Sequence, residues 1–233
     1  MHAIALSIGI ALLASALPAS AHYLWIERQG DGRARLYFGE YQDNEREKSG
    51  GRLDEIRSPR AWFVDRRGQR HELQAAKLAD HFDLGRASAP AAVLAEDSGY
   101  EVKDWTRLGF GVVKPLFYAR YAARGPASAG APQLTLDIVP LDARHLRVTF
   151  RGSPLAKAKL TVYAPNGWAQ ERRTDEAGEA NIATPWPGQY VVEVIHLERR
   201  PGEFEGKSYE NLRHRATLSI LKSRAEPRQE VAR

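Results

Sequence analysis

Tyr190-Val-Val-Glu-Val-Ile-His196 and His214-Arg-Ala-Thr-Leu-Ser-Ile220 are the two stretches on which the reading of the fold turns. In both, apolar residues recur at every second position, which places alternate side chains on opposite faces of an extended chain. His196 shares a face with Val192 and Val194, and His214 shares one with Ala216, Leu218 and Ile220. The spacing predicts an antiparallel hairpin centred near residue 205, with residues 198–212 as its loop. That register sets His196 opposite His214, where directly opposed Cβ atoms lie roughly 4.5–5.5 Å apart.

The same alternation, punctuated by turns, extends away from this hairpin. Residues 134–139, 145–150, 159–163, 179–182, 190–197 and 213–221 read as strands, separated by turns such as Asp175-Glu-Ala-Gly178 and Pro185-Trp-Pro-Gly188. Such spacing predicts an immunoglobulin-like or prealbumin-like β-sandwich over residues 133–222. Upstream, residues 22–27 and 34–41 pair across Gly30-Asp31-Gly32, and residues 60–65 and 69–73 pair around Arg67-Gly68. Residues 108–113 and 116–121 read as two further strands. The charged segment 42–59 reads as a loop or a short exposed helix outside the core. Arg124-Gly-Pro-Ala-Ser-Ala-Gly-Ala-Pro132 is small, flexible and proline-flanked, the composition of a linker. The expected fold is therefore mainly β: an N-terminal β-rich domain over 22–124, the sandwich over 133–222, and a charged, disordered tail over 223–233.

Residues 1–21 read as a signal peptide. An apolar run over residues 4–17 leads to Ala19-Ser20-Ala21, a small-x-small cleavage site, although the segment carries neither Lys nor Arg. The run is too short for a membrane span. Cleavage after Ala21 makes His22 the first residue of a periplasmic or secreted protein. It then offers an α-amine and an imidazole, two nitrogen donors from one residue that suffice to chelate a metal. The 34 Lys and Arg residues are interleaved with 29 Asp and Glu, for a net charge of +5. That is a mixed solvated surface rather than the clustered basic face of a nucleic-acid groove. There is no cysteine, so disulfides and thiolate ligands are excluded and any metal must use nitrogen and oxygen donors.

Among the histidines, His22, His196 and His214 are the strongest ligand candidates, with Glu198 and Tyr209 near the hairpin loop as weaker or outer-shell partners. A single histidine on an apolar strand face is commonly a satisfied core residue; two at matching height on paired strands make packing and metal binding about equally reasonable, and a first-residue histidine tips the balance toward metal. His71 reads as solvated, His81 as part of a surface loop flanked by carboxylates, and His145 as the start of a strand. No phosphate-binding loop, dinucleotide fingerprint or nucleophile elbow is present.

The order of short motifs resembles the DUF4198 family, exported proteins similar to the periplasmic component of nickel and cobalt uptake systems. His22-Tyr-Leu-Trp-Ile-Glu27, Leu36-Tyr-Phe-Gly-Glu40, Leu136-Asp-Ile-Val-Pro140, Phe150-Arg-Gly-Ser-Pro-Leu-Ala156, Thr174-Asp-Glu-Ala-Gly178, Pro187-Gly-Gln-Tyr190 with Val194-Ile-His196, and Arg215-Ala-Thr-Leu218 carry the likeness. The resemblance implies a β-rich exported protein that binds a divalent metal through His22, His196 and the strand position held by His214. Glu40 stands where nickel-type relatives tend to carry histidine, which makes it a weaker ligand candidate. The leading expectation is a non-catalytic protein that binds nickel, cobalt or copper and supports uptake or homeostasis, with a membrane metal transporter as a partner. Two alternatives are a copper-dependent histidine-brace oxidase acting on polysaccharide, and an envelope adhesion or interaction module.

Overall fold

The computed structural model describes residues 22–87, 92–122 and 131–223. The predicted signal peptide, nearly all of the predicted linker and the tail beyond residue 223 lie outside the described residues. Within them the chain is mainly β, with three short 3-10 turns at Tyr41–Asp43, Arg52–Glu55 and Thr106–Leu108. No helix among the described residues is long and apolar enough to cross a membrane.

A central sheet of nine strands organises the molecule. Its order is β15 (Ala169–Arg173), β14 (Lys159–Tyr163), β17 (Gly188–Phe204), β18 (Lys207–Lys222), β10 (Gly111–Ala122), β8 (Ala92–Asp97), β4 (Arg60–Val64) and β5 (Arg70–Leu73), with β9 (Lys103–Trp105) also on β10. On one face lies a sheet of β11 (Leu136–Pro140), β12 (His145–Phe150), β13 (Ser153–Pro154) and β16 (Glu179–Asn181). On the other lies a sheet of β1 (Tyr23–Arg28), β2 (Arg33–Glu40), β7 (Phe82–Arg86) and β6 (Ala76–Lys77), with β3 (Glu45–Arg46) pairing β2. Strands from both predicted domains take part in this sheet. The strands of both halves form one continuous layer, joined where β10 and β18 pair in parallel from Val113–Asn211 to Ala122–Ile220.

Side-chain alternation sorts the core into two layers. Trp62, Leu94, Tyr118, Val192, Val194, Ala216 and Leu218 pack against Leu136, Ile138, Leu146 and Val148 of the four-stranded sheet. Their immediate neighbours Ala61, Val93, Ala95, Phe117 and Ala119 pack instead with Leu24, Ile26, Leu36 and Phe38. Beside these, Tyr23, Trp25 and Tyr37 form an aromatic cluster around Val191. A strand covered on both faces has no polar side to alternate. This explains why β8, Ala92-Val-Leu-Ala-Glu-Asp97 at the centre of the sheet, carries no two-residue period.

The decisive hairpin forms with the predicted register, His196 opposite His214. The expected loop 198–212 does not. Both strands run on to Phe204 and Lys207, and the connection is Glu205-Gly206, each with φ in the left-handed region (50° and 74°), as a two-residue hairpin turn requires. Pro201-Gly202 falls at a bulge in β17, where the register shifts between Arg199 and Gly202. The side chain of Tyr209 packs so closely on Gly202 that no Cβ fits there. Residues 108–113 and 116–121 are not two strands: β10 starts at Gly111 and runs unbroken through Pro115, which falls between the segments paired with β9 and β8. The segment 42–59 also departs from expectation, because Leu53 and Ile56 are fully buried.

Between the two halves, Arg120 of β10 and Asp137 of β11 form an ion pair that is almost completely buried. Arg120 donates from Nε and Nη2 to the two carboxylate oxygens (2.9 and 2.6 Å), and the Gln133 and Leu134 amides also donate to Asp137. Removing one partner strands a charge in the core, so Asp137→Ala is expected to lower unfolding stability by about 3–5 kcal/mol. The double variant Arg120→Met/Asp137→Leu recovers most of that loss. Chemical denaturation of the three proteins checks both expectations.

Candidate metal centre

His22 sits immediately ahead of β1 and is buried, its ring 5.5 Å from that of Phe38. Register puts Tyr23 opposite Gly39, so Glu40 is the next residue across from His22. Gly39 has φ +144° and a Cβ there would overlap the Glu45 carbonyl, so glycine lets β3 fold tightly back over β2. The return passes through the 3-10 turn Tyr41–Asp43 and left-handed Asn44. It delivers Glu45 and Glu47, two residues apart in an extended segment, to the imidazole.

The result is a ring with carboxylate oxygens at both nitrogens. Glu40 Oε1 is 3.1 Å from Nδ1, while Glu47 Oε1 and Glu45 Oε1 are 2.5 and 3.7 Å from Nε2. One ligand atom from each of His22, Glu45 and Glu47 lies within 4.8 Å of the others. Donors bound to one ion at about 2.0–2.2 Å must lie within about 4.4 Å of each other, so this group needs little rearrangement to hold a cation. Imidazole nitrogen with carboxylate oxygen is a donor set suited to divalent transition metals. Burial raises the Glu40 carboxyl above its ordinary value, with His22 opposing that shift and Glu45 and Asp43 adding to it.

Arg52, from the second 3-10 turn, competes for the same ring. Its Nη1 lies 3.0 Å from Nε2 and 3.8 Å from Glu47 Oε1. Its side chain is 39% exposed, which leaves it room to withdraw. Behind the site, Arg215 of β18 donates to the His22 carbonyl (2.9 Å) and to Glu193 Oε1 (2.6 Å), and Thr217 donates to the Leu24 carbonyl (2.6 Å). These bonds lay β1 across the central sheet.

The structure does not assemble the predicted three-histidine set. Arg215 and His214 are neighbours on one strand, so their side chains leave opposite faces. Arg215 reaches His22; His214 points to the other face, beside Tyr118 and Phe150. There His196 and His214 have ring centroids 6.2 Å apart, with Phe150 4.5 and 5.0 Å from them. His214 Nδ1 pairs with the Tyr118 hydroxyl (3.0 Å) and Nε2 with Glu198 Oε2 (3.1 Å), which also accepts from Arg151 (2.9 Å). Glu198 is thus a partner of His214. Tyr209 is not: it lies five residues along β18 on the opposite face, covering Gly202. Glu40 joins the His22 group instead.

The other histidines have local partners. His71 is exposed, stacked on Phe63 and 3.1 Å from Asp65, and His145 opens β12 beside Asp142 at 2.7 Å. His81 is buried rather than on a surface loop, with Asp80 at 2.6 Å and Tyr37 against its ring. Sequence reasoning missed Glu45, Glu47 and Arg52. The signal was present in Glu45-Arg-Glu47, whose alternation puts two carboxylates on one face once the segment is extended.

No protein-family model matches the chain, and no curated protein or solved structure gives a significant match.

Burial lowers the pKa of both His196 and His214; Glu198 opposes the shift at each. Folded values below the unfolded ~6.5 mean that the unfolded chain binds more protons in that window. Stability from these groups is therefore complete above about pH 6.5 and is lost as pH falls through the unfolded value toward the folded ones. His214→Gln should flatten the dependence of unfolding free energy on pH below about 6.5, measured as a slope so that any general loss of stability cancels.

Proposed function

We propose that this chain is an exported, non-catalytic protein that binds a divalent transition-metal ion (nickel, cobalt or copper) in support of uptake or homeostasis. The single observation carrying this reading is the convergence of Glu45 and Glu47 on Nε2 of His22, the residue that signal cleavage would expose. The resemblance to DUF4198 proteins points the same way, and implies a periplasmic location with a membrane metal transporter as partner.

Two modes of binding are distinguishable at this ring. In the first, Nε2 joins Glu45 and Glu47 in a nitrogen-and-oxygen set, and Glu40 holds Nδ1 on the other side as an orienting partner. In the second, Nδ1 and the freed α-amine chelate the metal and Glu40 becomes the nearest carboxylate. The clustering of two carboxylates on Nε2 favours the first. Nitrogen–carboxylate sites do not by themselves select one metal, since affinity order alone favours copper and selection rests on geometry and supply.

Calorimetry with nickel, cobalt and copper on protein that begins at His22 tests the assignment. His22→Ala and Glu47→Gln should each weaken binding by more than the ~10–100-fold typical of an outer-shell loss, and Glu40→Gln should fall within that range. One extra residue ahead of His22 leaves affinity unchanged in the Nε2 mode and removes it in the amine mode. Unchanged affinity in both His22→Ala and Glu47→Gln would overturn the site. Removing the competing guanidinium gives the opposite sign: Arg52→Met should bind metal more tightly than wild type in the same titration.

A further inference from the structure

Arg213 is 5% exposed, yet no described residue gives it a hydrogen bond or an ion pair, and both Nε and Nη1 are buried without a partner. Two aromatic rings lie close to it: the guanidinium carbon is 5.2 Å from the Trp105 ring centroid and 5.5 Å from that of Phe110. The neighbouring carboxylate, Glu193, is already bonded to Arg215. Burial, reinforced by the positive charge of Arg215, pulls the Arg213 pKa down to about 9, which leaves it a cation at neutral pH. An unpaired buried guanidinium is costly to the fold, and its fork of donors matches the paired oxygens of a carboxylate or a phosphate.

The position of Arg213 is informative. Along β18, Thr217 bonds the Leu24 carbonyl and Arg215 bonds the His22 carbonyl, so β1 and β18 advance together. Arg213 is the next residue on that same face, about 7 Å further along the strand and just beyond His22. Across from it on β17 is Leu197, and across from Arg215 is Ile195; both are exposed apolar side chains on the same face. Beside the metal centre there is consequently a cationic group flanked by Trp105, Phe110, Leu197 and Ile195. That combination suits a short carbon skeleton ending in a carboxylate.

We propose that Arg213 anchors a carboxylate of a small organic acid that arrives with the metal, so that the His22 centre takes its ion as a carboxylate chelate rather than as the bare aqua ion. The inference rests on the metal reading of His22. One imidazole and two carboxylates leave coordination positions open on an ion that prefers six ligands, and the oxygens of such an acid can fill them. Its remaining carboxylate then pairs with the Arg213 fork.

Calorimetry on protein beginning at His22, with nickel alone, citrate alone and the equimolar nickel–citrate complex, tests this in wild type, Arg213→Met and Arg213→Lys. Arg213→Met should leave affinity for nickel alone essentially unchanged and weaken binding of nickel–citrate about tenfold or more, the loss of one charge-assisted pair. Arg213→Lys should fall between, because an ammonium keeps the charge but not the fork. Equal binding of nickel–citrate by all three proteins overturns the inference, as does citrate that merely competes for nickel in every form. Inorganic phosphate bound as tightly as citrate, and lost in Arg213→Met, overturns the assignment to carboxylates. If nickel alone binds none of the proteins while citrate binds wild type and not Arg213→Met, metal delivery fails together with the proposed function. A thermal melt controls for folding: Arg213→Met should be at least as stable as wild type, and should it fail to fold, the Arg213→Lys comparison decides.

Discussion

The parallel pairing of β10 with β18 is the constraint on which the remainder of this molecule depends. Parallel neighbours cannot be joined by a tight turn, so the two strands must come from distant parts of the chain. Here they come from its two halves, and their ladder turns two small sheets into one large one. Everything near His22 rests on that junction. β1 crosses the pair on one face, held by Arg215 and Thr217 of β18, 193 residues away in sequence. If β18 shifted by one residue against β10, Arg215 would turn to the other face and the His22 carbonyl would lose its donor.

Burying ionised side chains around this junction carries a common logic. Arg120 is matched by Asp137, and Arg215 by Glu193 together with a backbone carbonyl. Lys114 lies among the Ser98 and Tyr100 carbonyls and 3.6 Å from the centre of the Phe204 ring, which ties the outer arm of the long hairpin to the β8–β9 connection. Its pKa is drawn down to about 8 by burial, against the pull of Asp97. In each case a charge drawn out of water has found either a counter-charge or a set of carbonyls. Arg213 stands outside this pattern, with aromatic faces in place of acceptors.

The sequence made the fold class and one long-range pairing legible, because two-residue periodicity survives wherever a strand is covered on one side more than the other. The His196–His214 register followed from that period and from symmetry about residue 205. Two kinds of feature stayed hidden. β8 is apolar on both faces, so no period distinguished it. The outer arms of the long hairpin were hidden because the charged stretch 198–212 has the composition of a loop; only the pairing of Phe204 with Lys207 places the turn. The partners of His22 were hidden for another reason. Glu45, Glu47 and Arg52 belong to a charged segment whose composition signals a solvated loop, while Leu53 and Ile56 inside it anchor the segment to the core.

Strand alternation also explains why the histidines divide as they do. His214 and Arg215 are consecutive, and no rotation of a side chain carries one through a hydrogen-bonded sheet to the face of the other. The central sheet therefore separates two chemistries: two neighbouring imidazoles, of which His214 is hydrogen-bonded to Tyr118 and Glu198, on one face, and a carboxylate-ringed imidazole on the other. The first lies at the margin of the interlayer core, with His214 buried and His196 partly so, and burial disfavours charging either ring, so it acts through stability and pH. The second lies at an edge where Glu45 is half exposed and Arg52 can withdraw, so it is open to an ion from solution. Because the two groups lie on opposite faces of the central sheet, the proposed metal binding at His22 and the acid sensitivity of His214 are physically separable.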